Sequence, residues 1–544
     1  MATTTVSIGS NQNIDTETPA STVASSDPDY TITFSSNPNS TVAVGDIIEI
    51  LADVGSDNTP SSSSGSDPYT VSFSDSVNSA VGIGARFYIT DPSTDETYRY
   101  DVTNVSGSNY TLDYISGASS AAAPTDIVDE YGDQVDGRFY AVNTYLLTEI
   151  DGNNYKFKYC TGVSSASPFG LQTNGSQSTA TFKRAFSTMI LFEAMIDDAS
   201  PDYWGSSDDV VGELHDDSDF TDNVIDFTNS QSLSSVKITV NSDDRHDGTA
   251  DSGVVLKPTS GTGSGGIVFR IAIDDFTVEW LDIDMSQLDS TDSRGCIALN
   301  SGAGNATIRN MLMHDVNHTA NTSGVAGITS GLSLTTSTNW YFLNNIIYNL
   351  EKSSSNASAS AIGIRSFKGN LYIYNNTIYN ITSQGGSKDA IGMRFGDETH
   401  IQANIKNNIV ADLNEGDIAA AYWMDENPNS NRVLNSATNL SDNTTDTKYN
   451  AEDFDVNKND STALTGKTLA EIDFVSDSGG TIDLHLDTSS VCLEAGTDLG
   501  TTGGVNIDID GVDRDATGVT WDIGADQKST VDVETGAAFF LFIN

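Results

Sequence analysis

The chain has 544 residues, 76 acidic against 25 basic side chains (net charge −51), 46 Gly, 11 Pro and 3 Cys. Its length allows about three domains, and 37% hydrophobic residues suffice for packed cores rather than a disordered chain. The shortage of Lys and Arg excludes nucleic acid and anionic lipid as partners, because binding them requires neutralising their negative charge.

Cys160, Cys296 and Cys492 lie far apart with no CxxC or Cys/His spacing, so they read as small buried hydrophobes. The opening MATTTVSIGS lacks a basic stretch and an apolar stretch, so no secretory signal is visible. The longest apolar run is Ala537–Ile543, and a membrane span needs about 20 residues.

In chain order, residues 1–28 form a Ser/Thr/Asn/Asp-rich arm that is expected to order only against a partner or neighbouring chain. Residues 29–180 read as small tandem β modules. Tyr30–Phe34 recurs as Tyr69–Phe73, and Val44–Ile48 aligns with Ile83–Phe87, both at an offset of 39. A second offset, 45, relates Tyr100, Val105, Gly107, Tyr110, Tyr114 and Gly117 to Tyr145, Ile150, Gly152, Tyr155, Tyr159 and Gly162. Alternating strands with turns at Ser106–Asn109 and Asp151–Asn154 suit hairpins.

Around residues 181–198 the spacing changes: Ile190/Ala194 and Leu191/Met195 sit at i,i+4, with Ser187 or Thr188 as N-cap, which predicts one short amphipathic helix. From about 205 to 486 two landmarks repeat. Short apolar strands centred on Ile267, Ile297, Leu332, Ile362 and Ile391 recur at steps of 30, 35, 30 and 29 residues. Segments opening at Asn310, Asn344, Asn375 and Asn407 recur at 34, 31 and 32, the last three as Asn pairs. A coil of this size carries about three short strands and cannot bury its own apolar face alone. The fold class is therefore mainly β, a right-handed parallel β-helix over 181–527, preceded by the small modules. The helix is expected to cap its first coil, the segment after 486 its last, and 528–544 forms a C-terminal apolar tail.

The Asn344-Asn-Ile-Ile-Tyr-Asn type of coil resembles parallel β-helix proteins of the pectate-lyase-like superfamily. So does the close of the chain, Asp483–Leu486, Cys492–Gly496, Asp508–Gly511, Arg514 and Trp521–Asp526. Arg184–Thr188 through Asp244–Thr249 resembles the opening of β-helix proteins encoded by tailed bacteriophages. The resemblance implies a structural protein exposed on the virion (a tailspike, fibre or capsid decoration), a homotrimer attached to other virion proteins by its N-terminal arm and modules, with host surface glycan as a further partner. Two alternatives stand beside it, a polysaccharide depolymerase and a bacterial surface adhesin.

Asn344/Asn345, Asn375/Asn376 and Asn407/Asn408 are expected to stack as a hydrogen-bond ladder, although their amides also suit sugars. Tyr348 and Tyr379, in register, are either glycan-binding rings or stacked packing aromatics. For catalysis the candidates are Asp282 and Asp284, on one strand face beside Glu279 and Asp274, with His314 and Asp315 a coil later; glycoside hydrolysis needs two opposed carboxyls. Asp508, Asp510 and Asp513 have the oxygen spacing of a calcium loop, but Thr517 stands where the closing Glu belongs, so a capping turn is the competing reading. Arg365 and Arg394 align at an offset of 29 without an evident carboxylate set beside them. The six His show no zinc-binding pair at helical spacing.

Overall fold

The computed structural model describes residues 3–528, except 18–29, 163–179, 449–461 and a series of shorter stretches that mostly connect strands. The C-terminal apolar tail beyond Lys528 and the expected strand at Leu332 lie outside the described residues. The chain divides into two units: Thr4–Ser187 with Asp202–Trp204, and Thr188–Pro201 with Gly205–Asn544 and the first three residues.

The first unit is an antiparallel sheet holding two copies of one four-stranded module. We label its strands β1 (Tyr30–Thr33), β2 (Ile47–Asn58), β3 (Tyr69–Phe73), β4 (Arg86–Asp91), β5 (Glu96–Ser106), β6 (Asn109–Ser116), β7 (Gly137–Asp151) and β8 (Asn154–Gly162). In one copy β1 pairs with β8, β8 with β7 and β7 with β2. In the other β3 pairs with β6, β6 with β5 and β5 with β4. The registers coincide residue by residue. Tyr69 faces Leu112 where Tyr30 faces Phe157, and Phe87 faces Tyr100 where Ile48 faces Tyr145. Even the irregularities correspond, after Arg99 and Val102 in one copy and after Thr144 and Leu147 in the other.

The two offsets thus have one cause. The whole of β3–β6 lies between β2 and β7, so the second module is nested inside the first: the offset of 39 relates the opening strand pairs and the offset of 45 the closing pairs. Each copy keeps its own aromatic core, Phe34, Tyr145, Tyr155, Phe157 and Phe182 in the outer module, and Phe87, Tyr100, Tyr110 and Phe139 in the inner. The arm differs from expectation over its described residues. Asp15–Glu17 pairs with Ala180–Phe182 of the same chain, Ser7 N donates to Gly45 O at 3.0 Å, and Val6, Ile8 and Ile14 are buried. Three apolar side chains among the polar ones suffice to dock it.

The second unit is a parallel β-solenoid. Its first sheet runs from Asp209–Leu214 to Arg432–Ala437, its second from Ile225–Phe227 to Thr447–Lys448 and its third from Val255–Leu256 to Leu440–Ser441, with every pairing inside them parallel. Inward columns of Ile238, Val278, Ile308, Phe342, Ile373 and Ile405, and of Ile283, Met313, Ile347, Ile378 and Val410, fill the interior without solvent contact. Gly327, Gly363 and Gly392 face the latter column so closely that a Cβ would lie 2.7, 2.7 and 2.4 Å from Ile347, Ile378 and Val410. In the second sheet the partner of Ile297 is Ile328, in the strand Val325–Ser330.

The Asn segments form the corners between the first and third sheets. The first Asn of each, 310, 344, 375 and 407, has φ of 51 to 57°, the left-handed conformation that Asn tolerates better than most side chains. The second is buried, and Nδ2 of Asn345, Asn376 and Asn408 donates to Oδ1 of Asn376, Asn408 and Asn439 at 2.9 Å each. The same Oδ1 atoms accept the backbone N–H of Asn345, Asn376 and Asn408 at 3.0–3.1 Å.

The helix Met189–Ile196 is capped by Thr188, whose Oγ1 accepts from Leu191 N at 3.2 Å. It packs beside the first strand of the second sheet, with Phe192 against Phe227. Its buried face is Met189, Phe192 and Ile196, while Ile190 and Leu191 are 39% and 50% exposed, so the i,i+4 pairs chosen from sequence mark the wrong side. Among the described residues, the segment after 486 does not lie over the last coil. It returns along the flank, from Thr497 beside Asn407 to Val505 beside Asn344 and Asp508 beside Asn310.

Two measurements follow from this architecture. Asn376→Ala strands the carbonyl of Phe342 and the amide of Asn345, and is expected to cost about 2–4 kcal/mol in urea unfolding; Asn375→Gly, at a corner of positive φ, is expected to cost much less than Asn375→Ala. Asn58 and Gly137 are register partners, so deleting residues 59–136 and joining them through Asn-Gly, with Phe139→Thr, closes a hairpin. Circular dichroism and limited proteolysis are expected to find the outer module and the solenoid still folded.

Candidate functional site

The third sheet turns an apolar outer face toward the returning C-terminal layer. Leu312, Ile346, Tyr348, Tyr379, Ile409 and Leu440 pack with Ile472, Phe474, Leu484, Leu486, Ile509 and Ile523. That layer contains the helix Leu469–Ile472, closed by a reciprocal Thr468/Glu471 capping box, and the hairpin of Phe474–Ser476 with Asp483–Leu486. Tyr348 and Tyr379 are in register as expected, but each is only 4% exposed. Tyr379 meets Phe474 edge-on and its hydroxyl donates to Asp477 O at 2.8 Å. They are packing aromatics beneath this layer.

Toward the N-terminal end of the same face the column turns from apolar to charged. Asp282 aligns with Leu312 and Asp284 with His314, which itself aligns with Tyr348. The structure brings Asp282, Asp284, His314 and Asp315 together. His314 Nε2 lies 2.9 Å from Asp282 Oδ1, its Nδ1 lies 2.8 Å from Asp315 Oδ2, and its ring stacks on Tyr348 with centroids 4.9 Å apart. Burial alone would lower the imidazole pKa, but the two carboxylates outweigh it and push it up to about 10. Asp315 is correspondingly held below the carboxylate range, its burial outweighed by the hydrogen bond to His314.

The remaining oxygens are engaged as well. Asp282 Oδ2 accepts from Asp251 N at 3.1 Å, Asp284 Oδ1 from Ser286 N at 2.8 Å, and Asp284 Oδ2 meets Lys257 Nζ at 3.2 Å. Lys257 also binds Asp251 at 2.7 Å. Glu279, placed beside this cluster from the sequence, belongs to the first sheet, where it takes Lys237 at 2.6 Å and Arg309 Nε at 2.6 Å. Asp274 accepts from Asn305 N at 2.6 Å in a turn of that sheet.

A second centre lies inside the C-terminal layer. His485 Nδ1 is 2.5 Å from Asp483 Oδ1 and its Nε2 2.9 Å from Asp510 Oδ1, and these partners likewise outweigh burial and raise its pKa to about 10. It abuts Gly248, where a Cβ would stand 2.5 Å from Nε2. The Asp244–Thr249 segment is thereby clamped: Arg245 lies over Trp280 at 4.5 Å, and buried His246 bonds Asn310 O at 2.9 Å.

Asp508, Asp510 and Asp513 do not converge. Asp508 is fully buried and spends its oxygens on the backbone N–H of Asp510 (3.0 Å), Val512 (2.6 Å) and Gln527 (2.8 Å). Asp510 turns to His485, and Asp513 accepts from Asn506 Nδ2 and Asp515 N. Arg514, also fully buried, donates to the carbonyls of Gly524 and Ala525 at 2.9 and 2.7 Å and ties this turn to the Trp521–Asp526 segment. Donor atoms of His485, Asp510 and Asp526 lie within 4.8 Å of one another, as do those of Asp284, His314 and Asp315. Both places already hold a cation of the protein's own, an imidazolium in each and Lys257 in the latter.

Lys257, Asp251 and His485 were not singled out from the sequence. Lys257 precedes its partner Asp284 by 27 positions and His485 precedes Asp510 by 25, and no local spacing carries such contacts; only the winding of the coils makes them neighbours.

No protein-family model and no curated protein matches the chain. Comparison with solved structures finds similarity to a glycoside hydrolase at 8% identity, over 85% of this chain and 81% of the other, with a TM-score of 0.16. A score that low carries no argument about fold or activity.

The His314 network has a defined pH signature. An imidazole whose folded pKa lies above its unfolded value of about 6.5 stabilises fully below that value and loses its contribution as pH rises through the folded pKa. Thermal unfolding is expected to fall in midpoint between pH 7 and pH 10. His314→Gln is expected to cost about 3 kcal/mol at pH 6 and to flatten the alkaline slope by the share that His485 does not supply.

Proposed function

We propose that this chain is a non-catalytic, β-helical structural protein, carried on the surface of a tailed-phage particle and contacting host glycan along the flank of its solenoid. The observation that carries the reading is the engagement of the Asp282/Asp284 cluster. A hydrolytic carboxyl pair needs oxygens turned toward a sugar from opposite sides. Here the oxygens of both residues are given to His314, Lys257 and backbone N–H groups of the same chain. Such a network fastens successive coils of the solenoid to one another.

The placement on a particle is supported by the resemblance of the Arg184–Thr188 and Asp244–Thr249 segments to phage β-helix proteins, and by an N-terminal unit that has its own cores ahead of the solenoid. In this reading the nested modules make the attachment and the solenoid projects. A homotrimer is the closed symmetry that suits it.

The test is mass spectrometry of purified particles of a phage encoding the chain, with a cryo-EM map to locate it. Stoichiometric copies on head or tail are expected, together with unchanged polymer length when the purified protein is incubated with host polysaccharide. Absence from particles, with secretion genes at the encoding locus, would favour the adhesin. Loss of polymer length that Asp282→Asn abolishes would establish a depolymerase instead.

A further inference from the structure

The outer face of the first sheet differs in composition from the rest of the chain. Its middle register column reads Thr307, Tyr341, Tyr372, Asn404 and Asn435 over successive coils, and the column beside it Asn339, Asn370 and Gln402. Along their strands these residues alternate with the inward Ile308, Phe342, Ile373 and Ile405, so they point away from the core. None is charged, in a chain where 19% of residues are. In the same strands Arg309 and Lys406 stand at the end next to the corner.

Tyr341 and Tyr372 stack with centroids 4.6 Å apart and planes 12° from parallel, and Tyr374 meets Tyr372 edge-on. The pair is held in place by the C-terminal layer. Tyr341 and Tyr374 pack against the cluster of Leu343, Val505 and Trp521. Gly503, whose carbonyl accepts from Arg309 Nη1 at 2.8 Å, sits so close that a Cβ would lie 3.5 Å from the Tyr341 ring.

On both sides the column continues with shorter side chains, Thr307 after Tyr341 and Asn404 after Tyr372, so the stack ends in a step at each ring. Among the described residues no third ring stacks on the pair. The two steps differ. Beside Thr307 lies the ion pair of Arg309 with Glu279. At the Tyr372 step the floor is half-buried Asn404, flanked by exposed Gln402 and Asn435. Asn435 Nδ2 donates to Asn404 Oδ1 at 3.2 Å, but a primary amide has two N–H donors and two lone pairs, so this bond does not exhaust either side chain.

We propose that the step beside Tyr372 is a binding site for a neutral polysaccharide, one sugar ring extending the tyrosine stack over Asn404 while the amides of Gln402, Asn404 and Asn435 bond its hydroxyls. The negative face of an aromatic ring attracts the C–H groups of a pyranose face, and amides serve hydroxyls, which both donate and accept. Two other occupants fit less well. An acidic glycan finds no cation in these columns to offset a net charge of −51, and a protein interface needs a broader apolar centre than two rings. Because the tyrosines are already packed, binding spends little on ordering them. The proposal rests on the glycan-contact reading above and adds the place and the chemical class of the glycan.

The test is binding of the full chain to neutral polymers (dextran, mannan and galactomannan) and to acidic ones (alginate and polygalacturonate) by biolayer interferometry in about 0.15 M NaCl. At least tenfold tighter binding to one neutral polymer than to either acidic polymer is expected. Tyr372→Ala should weaken it at least tenfold, Tyr372→Phe should keep most of it, and Tyr131→Ala on the N-terminal unit should leave it unchanged. Asn404→Phe, which fills the step with a ring of the protein's own, should abolish it. Thermal unfolding of each variant checks that it is folded; should Tyr372→Ala be unstable, Asn404→Phe decides. Binding that is equal for the two classes or favours the acidic polymers, or neutral-selective binding that both variants leave intact, overturns this site while keeping glycan contact. Failure to bind any polymer of either class overturns the glycan-contact reading itself.

Discussion

The structure of the solenoid depends on what the chain does at one corner. Turning from the first sheet into the third within two residues exposes backbone groups that neither sheet can pair, and at this depth no water reaches them. The Asn pair answers both needs. The first Asn adopts positive φ and makes the bend; the second fills the corner with an amide that bonds the next coil and the backbone at once. Because each buried amide is donor to one coil and acceptor from another, the set is satisfied only as a stack. A coil has no stable corner without its neighbours.

The same corner determines where the C-terminal layer goes. Asn407, Asn375, Asn344 and Asn310 point their amides outward, and the carbonyls of Thr497, Val505, Ile507 and Asp508 accept from them in descending coil order. The described part of the chain is thus led back along the flank. Once there it covers the apolar outer face of the third sheet, and toward the charged end of that face its His485 abuts Gly248 of the clamped Asp244–Thr249 segment. The buried ions follow from the route: a layer that crosses the full height of the sheet must also cross its polar end, and pairing is the way to bury those charges.

How much of this was legible in the sequence follows the range of each signal. The coil period and the Asn corners were readable because each repeats a local rule, a left-handed bend followed by apolar alternation. The two offsets of the N-terminal modules were readable too, but their relation was not: an internal match says which segments are alike, whereas nesting is a statement about which strands pair. The helix was placed and capped correctly and its buried side misjudged, since on an eight-residue helix with apolar residues all round, only the neighbouring sheet decides which face is covered. The charged centres left the weakest trace. Asp282, Asp284 and His314 could be set on one face by alternation, yet Lys257 and His485 enter through contacts made by coils and a returning layer.

The distribution of cations joins these observations. With three acids for every base, a Lys or Arg has a carboxylate within reach almost anywhere on the surface, so its position is informative chiefly where it is buried or aligned. Several are interior fasteners. Arg184 meets Asp46 at 2.9 Å with both side chains buried; Lys237 and Arg309 share Glu279, whose burial would raise its pKa but which they together pull below the usual range; Arg514 holds carbonyls of the last turn. In each case the cation closes a joint that the hydrophobic effect alone would leave unspecific. Net charge therefore describes the molecule seen from beyond a Debye length, where it repels other copies of the same chain.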